Sequence, residues 1–325
     1  MSDLRGGIDL GGTKIQAAVI DTAGEVKGEA RHPTPTDGGP KDVASAMAAA
    51  LVEAAESAGV KSSDLQGVGV GSPGDVDEKA GTVSSAKNLP EWDGTFELGA
   101  ALEKDLGTTV RLGNDVQVAT EAEFHLGAGK DFDSLIGVFW GTGVGGGLIL
   151  GGKPWLGRGA AGEIGHMVIK RGGTKCPCGR RGCMEAYAGR AAMEAEARRR
   201  QEDGEKTDLF KIMEERGRTR LMSGIWDRAL RRNDPLATKL IDEAVEALGA
   251  GVASVQNVLD VEAIIVGGGL GIRLGEPYAQ RIAEAMRPHL FVDSQPPAMH
   301  VAALGDLGGA IGAALLARPA PERAV

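Results

Sequence analysis

The stretch Gly7-Ile8-Asp9-Leu10-Gly11-Gly12-Thr13-Lys14-Ile15-Gln16-Ala17-Ala18-Val19-Ile20 reads as a strand, a tight turn and a second strand. Paired glycines between β-prone runs give the backbone the freedom that a hairpin requires. The middle of the chain repeats the pattern. Ser134–Trp140 is an apolar strand, Gly141-Thr142-Gly143-Val144-Gly145-Gly146-Gly147 a turn, and Leu148-Ile149-Leu150 a returning strand. Two such copies, one heading each half of the chain, predict a duplicated architecture with a cleft between the halves.

Between and after these copies, strands alternate with helices, the mark of the α/β class. Lys41–Ala58 is an alanine-rich amphipathic run closed by Gly59, a C-cap residue. Leu65–Gly71 is a strand ending in Ser72-Pro73-Gly74-Asp75, and Val110-Arg111-Leu112 leads through Gly113-Asn114-Asp115 into a helix over 116–124. Arg190–Glu246 is mostly helical in pattern, Leu240–Leu259 a long helix, and Val261–Val266 a buried strand entering Gly267-Gly268-Gly269. A helix over Glu276–Leu290, a strand over Met299–Ala303 and a small-residue helix over Leu307–Ala317 close the chain.

Composition narrows the function. The chain has 325 residues, a prior of roughly two domains. A net charge of −9 and 4% aromatic residues argue against a nucleic-acid partner or an anionic membrane surface. No run approaches the ~20 apolar residues of a membrane span, and the N-terminus lacks a signal-peptide pattern, so a cytoplasmic protein is expected. The three cysteines crowd between Cys176 and Cys183, which is not how a disulfide scaffold spreads them. Glycine is the unusual residue, 51 of 325, and 17 of the 53 residues from Gly137 to Gly189 are glycine. It is therefore concentrated where the chemistry below falls.

Asp9, Gly11, Gly12, Thr13 and Lys14 form a turn whose exposed N–H groups, hydroxyl and cation suit a phosphate, with Asp9 placed for Mg²⁺; an ordinary hairpin is the alternative. The second turn formally contains the dinucleotide fingerprint G-x-G-x-x-G, but a strand follows where that motif needs a helix. Gly141, Thr142 and Gly143 read better as a second phosphate clasp. Gly268 and Gly269 follow a strand and precede a helix, the place where α/β folds hold nucleotides, although close strand–helix packing explains them equally. His166, Cys176, Cys178 and Cys183 supply the Cys₃His donor set of a closed, structural Zn²⁺ site. The runs Arg198-Arg199-Arg200 and Arg231-Arg232 read as solvated helix faces.

Together, Asp9–Lys14, the Gly141–Gly147 turn, Gly162-Glu163-Ile164-Gly165-His166 and Cys176-Pro177-Cys178-Gly179-Arg180-Arg181-Gly182-Cys183-Met184-Glu185 resemble the ROK family of sugar kinases and repressors, over essentially the whole chain. Within it, the bacterial glucokinases are the most similar in character. The resemblance implies an actin/hexokinase/Hsp70-like α/β fold, two ribonuclease-H-like domains around a cleft. It implies domains over 1–115 plus 306–325 and over 116–305, the latter with the zinc loop at 166–183. The implied reaction is phosphoryl transfer from ATP, with Mg²⁺, to the 6-hydroxyl of a hexose, most simply glucose. Asp115 then matches the catalytic base, and Gly74, Asn88, Asn114, Glu163, His166 and Glu185 match hexose contacts. His166 is expected to give one ring nitrogen to zinc and the other to the sugar.

Two departures from the family pattern stand out: Val261 where proline is common, and Trp140, a large residue before the second turn that could alter the donor mouth. The family resemblance leaves other hexoses open (mannose, fructose, N-acetylmannosamine), as well as polyphosphate as donor, and suggests a homodimer or homotetramer. A sugar-responsive repressor is the rival class. It would carry a winged-helix domain before the kinase-like part, and Asp9 stands too near the start of this acidic chain for one to be expected.

Overall fold

The computed structural model describes residues 3–86 and 89–317. The expected hexose contact Asn88 and the tail from Arg318 lie outside them. The chain divides into two compact units, Met1–Lys130 with Gly157–Gly159 and Ala303–Val325, and Asp131–Leu156 with Ala160–Ala302.

In the first unit, β1 (Arg5–Leu10), β2 (Lys14–Ile20) and β3 (Val26–Pro33) form an antiparallel meander. The helix α1 (Pro40–Ser57) then carries the chain to β4 (Val68–Ser72), which pairs parallel to β1. A small sheet of β5 (Asp75–Asp77), β6 (Thr82–Ser84) and β7 (Thr95–Phe96) follows, then α2 (Leu98–Leu106), β8 (Val110–Asn114) parallel to β4, and α3 (Asp115–Leu126). The main sheet has the order β3-β2-β1-β4-β8. Its central strands β1 and β4 are almost wholly buried, with Asp9 the one partly exposed position, whereas edge strand β3 alternates buried and exposed positions.

The second unit repeats this order. β9 (Leu135–Trp140), β10 (Val144–Leu150) and β11 (Lys153–Pro154) are antiparallel, and β12 (Ala263–Gly267) and β13 (Ala298–Val301) add in parallel, giving β11-β10-β9-β12-β13. The crossover from β11 to β12 is a helical insertion: α4 (Glu185–Ala188), α5 (Arg190–Glu202), α6 (Leu209–Glu215), α7 (Ser223–Arg231) and α8 (Pro235–Leu259). Trp140, Trp226 and Ile264 centre the core that these helices close over the sheet. After β12 come α9 (Gly268–Leu274) and α10 (Glu276–Met286). The duplication read from the two glycine turns is thus present strand for strand.

Three details differ from the sequence reading. The second turn spans only 141–143, because Gly145, Gly146 and Gly147 already belong to β10 and pair with Phe139, Val138 and Gly137. Gly146 serves close packing: a Cβ there would stand 2.7 Å from Gly162 O and from Ile164. The expected boundary at 115/116 falls at the start of α3, whose Val118 carbonyl lies directly on Gly312 of the closing helix Gly308–Leu316, so α3 stays with the first unit. That closing helix also lies on β1 and β4, where Gly7 and Gly69 leave room for the carbonyls of Ala310 and Ala313. Finally, Arg200 is not a solvated cation. It is 9% exposed and joins Glu196 of α5 to Glu243 of α8 at 2.7 and 3.0 Å. None of the described helices is long and apolar enough to cross a membrane.

Candidate active site

The first glycine turn joins β1 to β2. Gly11 N–H donates to Lys14 O at 3.0 Å, while Thr34 fastens the turn from below through Oγ1 to Gly11 O (2.6 Å) and N–H to Thr13 O (3.3 Å). Gly12 and Thr13 are exposed, and their N–H groups donate to no acceptor among the described residues. Two adjacent free amides at a glycine turn form a nest for an anion. Behind it, the Asp9 carboxylate packs against Gly309, where a Cβ would stand 2.6 Å from Asp9 Cγ, and Lys14 Nζ pairs with Asp306 at 3.5 Å. Burial pushes the Asp9 carboxyl up to about 6, against the pull of Lys14 and with a small push from Asp306.

The carboxylate expected to act as base sits where β8 runs into α3. Asn114 caps the helix, its Oδ1 accepting from Val116 N–H and Gln117 N–H at 3.1 Å each. The amide oxygen of this asparagine is thus spent on the helix. Its amide N–H groups remain as donors. Asp115 Oδ1 accepts from Val116 N–H at 2.9 Å, and the residue is half-buried. Its Cα packs on Gly71 of β4, where a Cβ would stand 3.4 Å away. Gly74 closes the adjoining turn with φ +91°, a conformation its contact with Ser84 O (2.6 Å from a Cβ) reserves for glycine. In the first unit the structure thus places Asn114 and Asp115 side by side at one strand end.

The ligand atoms of His166, Cys176, Cys178 and Cys183 in the second unit all lie within 4.8 Å of one another. His166 Nδ1 is 3.7 Å from Cys176 Sγ, and Cys178 Sγ is 3.6 Å from Cys183 Sγ. Donors about 2.1–2.3 Å from one ion at tetrahedral angles stand roughly 3.5–3.8 Å apart, so the cluster has the dimensions of a zinc site. The loop closes like a knuckle. Cys176 N–H donates to Arg180 O (2.8 Å), Gly179 N–H to Cys176 O (2.9 Å), and the carbonyl of Lys170 occupies the space beside Gly182 where any side chain would collide. Burial pushes the Cys176 thiol up to about 12 and raises Cys183 as well. Such thiols need a cation to become thiolates, which is what a closed zinc site supplies.

His166 turns its other nitrogen elsewhere: Nε2 is 3.9 Å from Glu163 Oε2. Glu185, expected only as a sugar contact, also serves the second turn. Its Oε2 accepts from Val144 N–H at 3.0 Å while Oε1 lies 3.9 Å from Cys176 Sγ. Glu163 and Glu185 thus each stand beside a member of the His/Cys cluster, Glu163 at His166 and Glu185 at Cys176.

The second turn is closed one residue tighter than the first. Gly141 N–H donates to Gly143 O at 2.9 Å, and the N–H groups of Thr142 and Gly143 have no protein acceptor among the described residues. Gly269 N lies 3.9 Å from where a Gly141 Cβ would be, so Gly268 and Gly269 adjoin the turn; Gly268, at φ +78°, packs on the backbone of Trp140. Trp140 does not reach a donor mouth with its ring. The indole is fully buried and donates from Nε1 to Ala188 O at 2.7 Å. One residue escaped the sequence reading. Arg190, buried, donates from Nη2 to Thr142 Oγ1 at 2.7 Å, and nothing local to its sequence marks it.

The family model described as ROK family matches residues 5–320. A glucokinase from Streptomyces coelicolor is 33% identical over 316 residues, covering 96% of each chain. An N-acetylgalactosamine kinase from a Shewanella strain is likewise 33% identical over 321 residues, covering 95% of each. Among solved structures, a ROK family glucokinase from Streptomyces griseus in complex with glucose and AMPPNP superposes with a TM-score of 0.82 at 34% identity, over 96% of this chain and 98% of that one.

Proposed function

The chain belongs to the ROK family, and on that premise we propose that it is a hexokinase of glucokinase type, transferring the γ-phosphoryl group of ATP to the 6-hydroxyl of a hexose. The observation that carries the reading is the pair of three-residue glycine turns, each presenting at its second and third positions two adjacent N–H groups without a protein acceptor among the described residues. Two such nests are what a nucleotide polyphosphate requires, and a sugar-binding module without a donor would need neither. Gly268 and Gly269 add the strand-end position at which α/β folds hold nucleotides.

In this reading Asp115 accepts the proton of the 6-hydroxyl as the phosphoryl group leaves the donor. The Val116 N–H on Oδ1 holds its carboxylate in place. Asn114 offers amide donors, Gly74 a backbone contact, and Asn88 a further amide. Glu163 and Glu185 accept sugar hydroxyl protons, and His166 Nε2 completes the set. Acceptors and donors in fixed positions penalise the wrong epimer because each unmatched buried polar group costs about 1–3 kcal/mol. Lys14 and Thr13 line the first turn. Asp9 would hold Mg²⁺, a cation that neutralises charge on the transferred group. Zinc on His166, Cys176, Cys178 and Cys183 would fix the imidazole tautomer, leaving Nε2 for the sugar. Assembly as a homodimer or homotetramer and a cytoplasmic location belong to the same proposal.

A different hexose is the second reading, favoured by the N-acetylgalactosamine kinase that is as similar as the glucokinases. A coupled assay crossing glucose, mannose, fructose and N-acetylated hexosamines with ATP and inorganic polyphosphate decides both sugar and donor. Glucose with ATP should give the highest kcat/KM. Turnover confined to an N-acetylhexosamine would replace the sugar assignment, and turnover with polyphosphate alone would replace the donor.

A further inference from the structure

The second glycine turn rests on a buried cation that the roles assigned above leave unused. Arg190 is 8% exposed at the start of α5. Its Nη1 donates to Leu221 O at 2.9 Å and approaches Met222 Sδ at 3.6 Å, and its Nη2 donates to Thr142 Oγ1 at 2.7 Å. All of these partners are neutral, and Nε has none among the described residues. Glu194, one helical turn on, is committed to Arg198 (2.8 Å), Arg220 (3.1 Å) and Leu221 N–H (3.0 Å). A desolvated guanidinium that touches no carboxylate is costly unless an anion comes close in some state of the protein. Desolvation, reinforced by Arg220 and only partly offset by the nearby Glu194, pushes the Arg190 pKa down.

The contacts of this arginine decide which way the turn faces. Its own N–H donates to Gly141 O at 3.1 Å and that of Ala191 to Thr142 O at 3.0 Å. The Gly141 and Thr142 carbonyls therefore point toward the start of α5, the Gly143 carbonyl is taken by Gly141 N–H, and the N–H groups of Thr142 and Gly143 have no protein partners among the described residues. The Thr142 hydroxyl behaves the same way. With its oxygen accepting from a guanidinium, its hydrogen cannot point at Arg190 and is left to donate outward from an exposed side chain. Accepting from a cation also polarises the O–H bond and strengthens it as a donor.

We propose that Arg190 is a positioning residue for the phosphoryl donor: through Thr142 it orients the second turn as an all-donor surface and places a buried positive charge behind it. Its ligand class is a nucleoside polyphosphate. The inference deepens the hexokinase reading and rests on it for the name of the donor. Arg190 does not touch the donor in this scheme; Thr142 does.

The test is a double-mutant cycle on the full chain, read by calorimetric binding of the β,γ-imido analogue of ATP with Mg²⁺ and, separately, by steady-state kinetics with glucose. The variants are Arg190→Gln, Arg190→Lys, Thr142→Val and Arg190→Gln with Thr142→Val. Each single neutral change should weaken the analogue about tenfold, the size of a charge-assisted hydrogen bond. The double variant should be about as weak as either single one, because both remove the same interaction. Arg190→Lys keeps the charge and should recover part of the affinity. The KM for glucose should stay within about twofold of wild type, a split that a merely structural arginine would not produce.

Additive losses, an unchanged affinity in folded Arg190→Gln, or a glucose KM rising in step would each overturn the proposal. If Arg190→Gln does not fold, the exposed Thr142→Val still decides, since unchanged affinity there removes the group through which Arg190 acts. A wild-type protein that binds the analogue yet phosphorylates no hexose would strike the sugar assignment alone, and the affinity cycle would still judge Arg190.

Discussion

Nδ1 of His166 faces the sulfur of Cys176 at 3.7 Å while Nε2 lies 3.9 Å from Glu163, so that one imidazole joins the His/Cys cluster to the carboxylates proposed to hold the hexose. Under the proposed function, the orientation of a sugar contact would depend on zinc at this cluster. Glu185 ties the same loop to the second glycine turn, since it lies beside Cys176 and also holds Val144 N–H.

Zinc should accordingly be present at one ion per chain. Cys178→Ser, or prolonged chelation of the wild-type protein, should release it and lower hexose affinity about 10- to 100-fold, the range for losing an orienting contact at a metal site. Metal release followed with a chromogenic chelator, alongside hexose titration, checks this. Full hexose affinity in a metal-free protein would separate the cluster from the sugar site.

Asp115→Asn should lower kcat by about 10²–10⁴, the usual contribution of a positioned base, while hexose affinity stays within a few fold. The replacement keeps shape and can still accept from Val116 N–H, so α3 should remain capped through Asn114. Pre-steady-state measurement of phosphoryl transfer is the direct readout. A near-normal rate would remove Asp115 from the role of base.

The sequence made legible what is local. Asp9–Lys14 and the Cys176–Cys183 loop are short segments whose residue types already dictate a nest and a donor set. Their repetition exposed the duplication. What escaped is what only the folded chain creates. Arg190 meets Thr142 across 48 positions, and no pattern around either residue predicts the contact. The strands β5, β6 and β7 have two or three residues each, too few to show a period. Gly145–Gly147 looked like turn because glycine carries no side chain to alternate, yet Gly146 is a strand residue emptied for Gly162 and Ile164.

Glycine's two uses should separate in stability. Gly69→Ala drives a methyl group into the Ala313 carbonyl between β4 and the closing helix, backbone against backbone, so destabilisation of more than about 3 kcal/mol or failure to fold is expected. Gly59→Ala meets open space and bears only the strain of φ +77°, about 1 kcal/mol. Urea titration of both variants gives the comparison. Equal losses would show that the closing helix can shift away from β4.

Asp9 makes stability and activity pull apart with pH. Burial lifts its carboxyl from 3.8 to about 6 in the folded chain, so folding favours the protonated form. The associated stability is fully present below pH 3.8 and is lost as pH rises through 6. Above that point the ionised carboxylate costs the fold on the order of 2–3 kcal/mol. Asp9→Asn should therefore be more stable than wild type at pH 7–8, with the advantage vanishing near pH 4, as urea denaturation across that range would show. The same ionised carboxylate is the one proposed to hold Mg²⁺, so kcat/KM should fall as pH drops through 6, and added Mg²⁺ should move that limb to lower pH by favouring the charged form. Asp9→Asn should lose most activity at every pH despite its added stability. A variant that gained stability and kept its rate would show that this buried carboxylate serves neither the cation nor the donor.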